Sequence, residues 1–177
     1  MNVLLAYGIS IGVLAAVFMA IDHVLNLPGV PYFLQIISFA TFVGWATYYA
    51  IGDKHNGMIK GWCCNANGAF WGFMTVLLYS LTVNIWSFPG VIVFWLFICV
   101  SCIIVCLCAN AKLLSFIPGG FFGMATFYGF GNIKGDFGIE VLIACIISLW
   151  FGGLFGWLSD LGAGVLIGKP KDDAAAE

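Results

Sequence analysis

Long apolar runs dominate the chain, and short polar or turn-forming stretches separate them. Each run is 19–22 residues long, which is enough for a helix to cross a hydrocarbon core of about 30 Å. The runs are continuous, whereas membrane β-strands alternate apolar and polar positions. The predicted transmembrane helices are Val3–Ile21, Val30–Ile51, Asn65–Trp86, Val91–Ala109, Leu113–Gly131 and Ile139–Leu158.

This pattern predicts an all-α membrane protein with six transmembrane helices arranged as three hairpins. We expect residues 1–168 to form a single transmembrane domain and residues 169–177 to form a polar, disordered tail. The lysines predict the orientation, because basic residues gather on the cytoplasmic side of a membrane. With both termini in the cytoplasm, the outer segments hold Lys134 alone, and the inner segments hold Lys54, Lys60, Lys112, Lys169 and Lys171.

The composition excludes several functional classes. Only 8% of the 177 residues are charged, 63% are hydrophobic, and the mean hydropathy is +1.08, whereas a soluble domain carries about 25% charged residues. The net charge is −2 and the sequence contains no arginine, so it has no basic patch for nucleic acid. Phosphate-loop and metalloprotease motifs are also missing from the sequence. We therefore expect a protein that contacts membrane lipid, binds no nucleic acid, is not an enzyme and uses no metal or cofactor.

A weak parallel repeat relates the third and fifth apolar segments. The stretch from Gly68 to Thr75 aligns with the stretch from Gly119 to Thr126, and both read Gly, small, Phe, aromatic, Gly, two apolar residues, Thr. Glycines four residues apart share one helix face and allow a second helix to approach closely. Internal repeats are also common in transporters, where the substrate site lies at the repeat interface. Packing and a solute path are therefore both open interpretations.

For the solute path, we look to polar and glycine residues in and beside the repeat. Asn65 and Asn67 precede one copy, and Pro118 precedes the other, which predicts broken or kinked helices there. The proposed path residues are Asn65, Asn67, Gly68, Gly72, Thr75, Pro118, Gly119, Gly120, Gly123 and Thr126. Apolar rings often form constrictions in channels, and the candidates for this role are Phe70, Trp71, Phe121 and Phe122.

Charged residues avoid the centres of the predicted spans. Asp22, His23 and Glu140 fall near the outer ends, and Asp160 falls near the inner end. Because buried carboxylates mark ion-coupled transport, their absence favours a channel or facilitator for a small neutral or weakly charged solute. Asp22, His23 and Glu140 are candidates for gating or coupling at the outer mouth, since histidine titrates near neutral pH. The alternatives are an ion-coupled secondary transporter and a non-transporting, oligomeric membrane scaffold.

Several stretches of the sequence resemble a known family. These are the segment from Lys112 to Gly123, which contains Ser-Phe-Ile-Pro-Gly, the stretch from Phe42 to Trp45, and the stretch from Gly57 to Gly61. The resemblance is to the YcdZ-like bacterial inner-membrane proteins, domain-of-unknown-function family 1097. It implies a multi-pass protein of the bacterial inner membrane and supplies no catalytic residues. The glycine-rich helix faces predict that the protein forms a homo-oligomer.

Overall fold

The computed structural model describes residues 1–26, 28–29, 35, 37–86 and 90–168. This part of the chain forms six α-helices and no β-strand, which confirms the all-α class. The predicted start of the second span at Val30, and the predicted tail with Lys169 and Lys171, lie outside the described residues. The helices are α1 Val3–Leu25, α2 Ser38–Ile51, α3 Lys54–Trp86, α4 Gly90–Cys108, α5 Ile117–Lys134 and α6 Ile139–Ile167.

Two helices extend well beyond the predicted apolar segments. α3 begins at Lys54 rather than at Asn65, so the predicted link between the second and third spans is mostly helical. α6 continues past Leu158 to Ile167. The reason is that a helix satisfies its own backbone hydrogen bonds on both sides of the lipid boundary. Loss of apolar character therefore marks the edge of the membrane and not the end of the helix.

The predicted helix breaks prove to be of two kinds. Pro118 lies in the first turn of α5, where proline is favoured because its nitrogen needs no hydrogen-bond partner. A short 3-10 turn, Lys112–Leu114, precedes it. α3, in contrast, is one continuous helix through Asn65 and Asn67. Pro118 thus sets a helix start, and the two asparagines leave the backbone of α3 intact.

Four of the helices are long and apolar enough to cross a membrane: Val3–Leu25, Lys54–Asn84, Gly90–Cys108 and Ile139–Ile167. Among the described residues, α2 has 14 residues, which is about 21 Å of helix, and α5 has 18 residues that include several glycines. The number of six spans, their arrangement as three hairpins and the cytoplasmic termini therefore stay predictions.

α6 is the central helix, since it packs against α1, α2, α3 and α5. α1 and α6 run antiparallel, because Tyr7 meets Asp160 whereas Phe18 meets Phe155. α2 runs parallel to α6, and α3 runs parallel to α5. α4 packs on α3 at the edge of the bundle. The residues that form the larger buried cluster are Ala40, Ala69, Phe127, Phe130, Val141, Leu142, Ala144, Cys145 and Leu149.

Two helix pairs run parallel, α3 with α5 and α2 with α6, and glycine residues lie at the closest contact in each pair. A Cβ atom built on Gly68 would strike the carbonyl oxygen of Gly120, and one on Gly123 would strike the carbonyl oxygen of Asn65. Between α2 and α6, a Cβ atom on Gly44 or Gly152 would likewise strike backbone oxygen atoms of the opposite helix. Only glycine fits these four positions at the present helix spacing.

Candidate functional site

The residues proposed for the solute path line the contact between α3 and α5. Asn65 forms a hydrogen-bond pair with Thr47 of α2, with distances of 3.3 and 3.4 Å between side-chain atoms. Thr75 Oγ1 lies 2.7 Å from Ser101 Oγ of α4 and donates to the carbonyl oxygen of Trp71. Of the other proposed residues, Asn67 is half-buried, Pro118 is exposed, and the buried ones are Gly68, Gly72, Gly119, Gly120, Gly123 and Thr126. The structure therefore brings most of this set together, in direct helix-to-helix contact.

The residues proposed for a constriction lie on the outside of the bundle. The side chains of Phe70, Phe121 and Phe122 are 44%, 38% and 39% exposed. Trp71 is half-buried and packs edge-to-face with Phe70, with ring centroids 5.6 Å apart. Phe70, Phe121 and Phe122 therefore lie on the outer surface of the bundle, which lipid covers in a membrane protein.

Asp22 and His23 line a cavity of about 480 Å³ at the end of the bundle where α1 ends and α2 begins. We call it the Asp22 cavity. The carboxylate of Asp22 accepts hydrogen bonds from Ser38 Oγ at 2.9 Å and from Asn26 Nδ2 at 3.1 Å. Lys134 also lines this cavity. Glu140 lies in the first turn of α6, is exposed, and is not part of the cavity lining.

A second polar cavity lies at the opposite end of the bundle, where α1 begins and α2 ends. The carboxylate of Asp160 accepts a hydrogen bond of 2.6 Å from the hydroxyl of Tyr7 and one of 3.2 Å from the hydroxyl of Tyr48. These residues line a cavity of about 490 Å³, the Asp160 cavity, and an adjoining hollow of about 620 Å³ shares Tyr7, Lys54 and Asp160. The lining residues are Tyr7, Ile11, Tyr48, Tyr49, Gly52, Asp53, Lys54 and Asp160.

Sequence reasoning missed this cluster as a site. Tyr7 and Asp160 lie 153 positions apart, so no local spacing connects them. The available signal was weak: Asp160 is a carboxylate in the C-terminal half of the long apolar helix α6, and Tyr48 and Tyr49 are neighbouring tyrosines at the end of an apolar segment. Their side chains meet only because α1 and α2 both pack near the same end of α6.

Ser159 forms hydrogen bonds that position Tyr49 and Trp45 beside the Asp160 cavity. Its Oγ accepts a hydrogen bond of 3.1 Å from Trp45 Nε1, lies 2.6 Å from the hydroxyl of Tyr49, and donates to the carbonyl oxygen of Gly156 at 2.7 Å. The backbone carbonyl of Ser159 accepts a hydrogen bond from Ser10 Oγ at 2.8 Å. The side chains around the cavity are thus positioned by hydrogen bonds from three helices.

The rim of the Asp160 cavity carries local backbone strain. Gly52, Asp53 and Lys54 have φ values of 68°, 59° and 48° in succession. The left-handed region suits glycine but disfavours a side chain such as that of Lys54. Strained backbone of this kind concentrates at binding and switching sites.

An aromatic cluster fills the bundle between the two cavities. Phe18 of α1, Trp45 of α2 and Phe155 of α6 form this cluster, which we call the aromatic plug. The ring of Phe155 lies 5.6 Å from that of Phe18 and 5.8 Å from that of Trp45, measured between centroids. All three side chains are buried, with at most 6% exposed. The plug is apolar and buried, and the cavities on both sides of it are lined by charged side chains as well as apolar ones.

No group of three histidine, cysteine or acidic side chains in the described residues is arranged to hold a metal ion. All seven cysteines are free thiols. Four of them, Cys99, Cys102, Cys106 and Cys108, lie along the peripheral helix α4.

These features define a helical, multi-pass membrane protein with a polar cavity at each end of the bundle. The chain belongs to the family described as protein of unknown function (DUF1097), whose sequence profile matches residues 8–164. This confirms the resemblance inferred from the sequence. The family relationship and the apolar helices together place it in the bacterial inner membrane.

Two proteins of Escherichia coli (strain K12) are similar to this chain. The uncharacterized protein YahC is 29% identical over 135 residues, which cover 74% of this chain and 78% of YahC. The inner membrane protein YcdZ is 28% identical over 161 residues, which cover 86% of this chain and 83% of YcdZ. No solved structure gives a significant match.

Proposed function

We propose that the protein is a channel or facilitator for a small neutral or weakly charged solute, and that it is neither an enzyme nor dependent on a cofactor. The observation that carries this proposal is the arrangement of the Asp22 cavity, the aromatic plug and the Asp160 cavity along α1 and α2. Polar entrances on both sides of a short apolar constriction are the pattern by which many channels select and gate.

The space between α1 and α2 suits passage better than the contact between α3 and α5. At the α3–α5 contact, backbone atoms already meet at Gly68 and Gly123, so a solute path there needs the helices to separate. Between α1 and α2, aromatic side chains such as Phe18 and Phe42 are in contact, with ring centroids 6.3 Å apart. Side chains change rotamer much faster than packed helices move apart. We therefore place the path beside the plug and give the α3–α5 glycines a packing role.

The test is flux through proteoliposomes, with a panel of small solutes that includes glycerol, urea, methylamine and acetic acid. Shrinking and swelling of the vesicles are followed by light scattering after rapid mixing. We expect at least one solute to cross faster than it crosses empty vesicles. Flux no faster than in empty vesicles for every solute would refute the proposal.

Ion-coupled transport is a second candidate, favoured by the carboxylate of Asp22 in an open cavity. In that case uptake follows a proton or sodium gradient and is lost in Asp22→Asn. Glu140→Gln serves as a comparison, because Glu140 is exposed and lies outside the cavity. Uptake that depends only on the solute gradient excludes this candidate.

We also propose that copies of the chain associate through α1, either as a homo-oligomeric facilitator or as a non-transporting scaffold. In the described part of the chain, no atom of another helix lies within 4 Å of a Cβ built on Gly8 or Gly12, unlike at the glycines of the α2–α6 and α3–α5 pairs. Glycines four residues apart promote close helix contacts in lipid. A face of this kind on an outer helix is suited to a second copy.

A further inference from the structure

The Asp160 cavity combines the hydrogen-bonded carboxylate of Asp160, and the nearby carboxylate of Asp53, with the rings of three tyrosines. The rings of Tyr7 and Tyr49 meet edge-to-face at an interplanar angle of 70°, and those of Tyr48 and Tyr49 meet at 77°. Their centroids are 6.2 and 5.3 Å apart. Successive rings are therefore nearly perpendicular, like the walls of a box. All three line the cavity together with Asp160.

Among the described residues, the carboxylate of Asp160 is held by hydroxyl groups and not by a cation. Tyr7 donates to Oδ1 and Tyr48 donates to Oδ2. Two oxygen atoms offer about four acceptor sites, so the carboxylate retains capacity for another donor. Lys54 lines the same cavity, but in the part of the chain that is described it makes no ion pair with Asp160.

The charge balance of the lining disfavours an anion. Asp53 and Asp160 contribute two carboxylates, and Lys54 contributes one ammonium group. The faces of tyrosine rings also attract cations, because the ring quadrupole is negative above and below the plane. A bare metal ion is less suited to this lining, since hard cations need six or more oxygen ligands. An ammonium group with alkyl substituents uses the carboxylate, the ring faces and the apolar wall of Ile11 together.

We propose that the Asp160 cavity binds a small substituted ammonium ion, with Asp160 as its counter-ion and Tyr7, Tyr48 and Tyr49 as its aromatic walls. The proposal deepens the proposed function, because it names protonated amines as the class of weakly charged solute. The ammonium group can belong to a free amine or to the ethanolamine headgroup of a lipid at the membrane surface. The binding chemistry is the same for both sources.

The experiment measures binding directly, on the full chain in nanodiscs of phosphatidylglycerol. Ethylammonium chloride is titrated while NMR saturation transfer to its methyl protons is followed, with sodium acetate at equal ionic strength as the anionic comparison. We expect saturable binding of ethylammonium and none of acetate. Asp160→Asn should weaken binding roughly tenfold or more, the scale of one lost charge-assisted contact.

Two further variants keep the result interpretable if Asp160→Asn disturbs folding. Tyr49 is 38% exposed. Tyr49→Leu and Tyr49→Phe both lose the hydroxyl contact with Ser159, but only Tyr49→Phe retains the ring, so the comparison isolates the aromatic wall. We expect Tyr49→Leu to weaken binding by a factor of about three to ten, within the range of cation–ring contacts. Tyr49→Phe should stay within about twofold of the parent. Equal binding by the parent and the Leu variant would overturn the proposal, as would the absence of saturable binding in the parent.

The source of the ammonium group follows from a second set of nanodiscs that contain phosphatidylethanolamine. Weaker ethylammonium binding in these discs shows that the headgroup competes for the cavity, and unchanged binding identifies the free amine as the ligand. Binding and transport are separate readouts. Saturable binding without flux of any solute refutes the proposed function alone, whereas flux without ethylammonium binding refutes the cavity assignment alone.

Discussion

Trp45 donates a hydrogen bond of 3.1 Å from its indole Nε1 to Ser159 Oγ. Trp45 belongs to the aromatic plug, and Ser159 precedes Asp160 in α6. This one bond therefore connects the apolar centre of the bundle with the polar cavity at its end. If binding at Asp160 shifts α6, it also shifts Ser159 Oγ, which is the acceptor that fixes the indole ring of Trp45.

Trp45→Phe tests the role of this bond in the proposed path. The change retains an aromatic ring but removes the Nε1 donor, so we expect the plug to loosen and solute flux in proteoliposomes to rise about two- to tenfold, corresponding to about 0.5–1.5 kcal/mol for one hydrogen bond. The matched control is Trp95→Phe, at a tryptophan of α4 that is 62% exposed and lies outside the plug. Equal flux in the parent and both variants would show that the plug does not limit passage.

A second prediction concerns the glycine contact between α3 and α5. Gly68→Ala places a Cβ against the carbonyl oxygen of Gly120, and the helices must separate to make room. We expect a loss of about 3 kcal/mol or more in the free energy of unfolding, at the upper end for overpacked cores. Thermal unfolding of the parent and the variant in detergent measures this loss of stability.

Gly164→Ala is the control for this contact. Gly164 lies in α6 with no other element within 4 Å of a built Cβ, and alanine favours the helix by about 0.5–1 kcal/mol. Its melting temperature should stay level or rise. Similar losses at Gly164 and Gly68 would contradict the assignment of a packing role to Gly68.

The third prediction concerns the strained turn between α2 and α3. Lys54 has a φ of 48°, so Lys54→Gly relieves the side-chain penalty and should raise the free energy of unfolding by about 0.5–1 kcal/mol. Gly57→Ala is the opposite case, since a Cβ there would strike the carbonyl oxygen of Gly52. We expect that variant to lose at least about 1 kcal/mol. Chemical unfolding monitored by circular dichroism compares the two, and a destabilised Lys54→Gly would show that the turn is not strained.

The apolar runs were sufficient to predict the helices, because each run must pair its own backbone amides in lipid. They were not sufficient to locate the start of α3, since the residues from Lys54 to Cys64 continue the helix ahead of the predicted segment, which began at Asn65. The repeat correctly drew attention to Gly68 and Gly123, and the structure shows that the two copies pack against each other. The spacing of the glycines alone could not show which helix they face.

The residues that line the two cavities were even harder to predict from the sequence. The position of Asp22 near a helix end could be predicted from the sequence. Its hydrogen bond from Ser38 could not, because that bond depends on how α1 and α2 pack in the fold. Asp160 and Tyr7 meet across almost the full length of the sequence. A single sequence contains no local pattern for such a pair, so only the folded bundle could reveal it.

The last prediction tests association through α1. Gly8→Leu and Gly12→Leu place large side chains on an outward face, where no other described helix lies within 4 Å of a Cβ built on either glycine. The fold of one copy should therefore be unaffected, while close contact between two α1 helices becomes impossible. In native mass spectrometry, we expect the parent protein to be detected as an oligomer and the double variant as a monomer. The helical content of the double variant should equal that of the parent. Val165→Leu is the control, because Val165 is 81% exposed on α6 and its replacement should leave assembly unchanged. An oligomer that survives both glycine substitutions would place the interface elsewhere, for which the exposed apolar face of α4 with Trp95 and Leu96 is the next candidate.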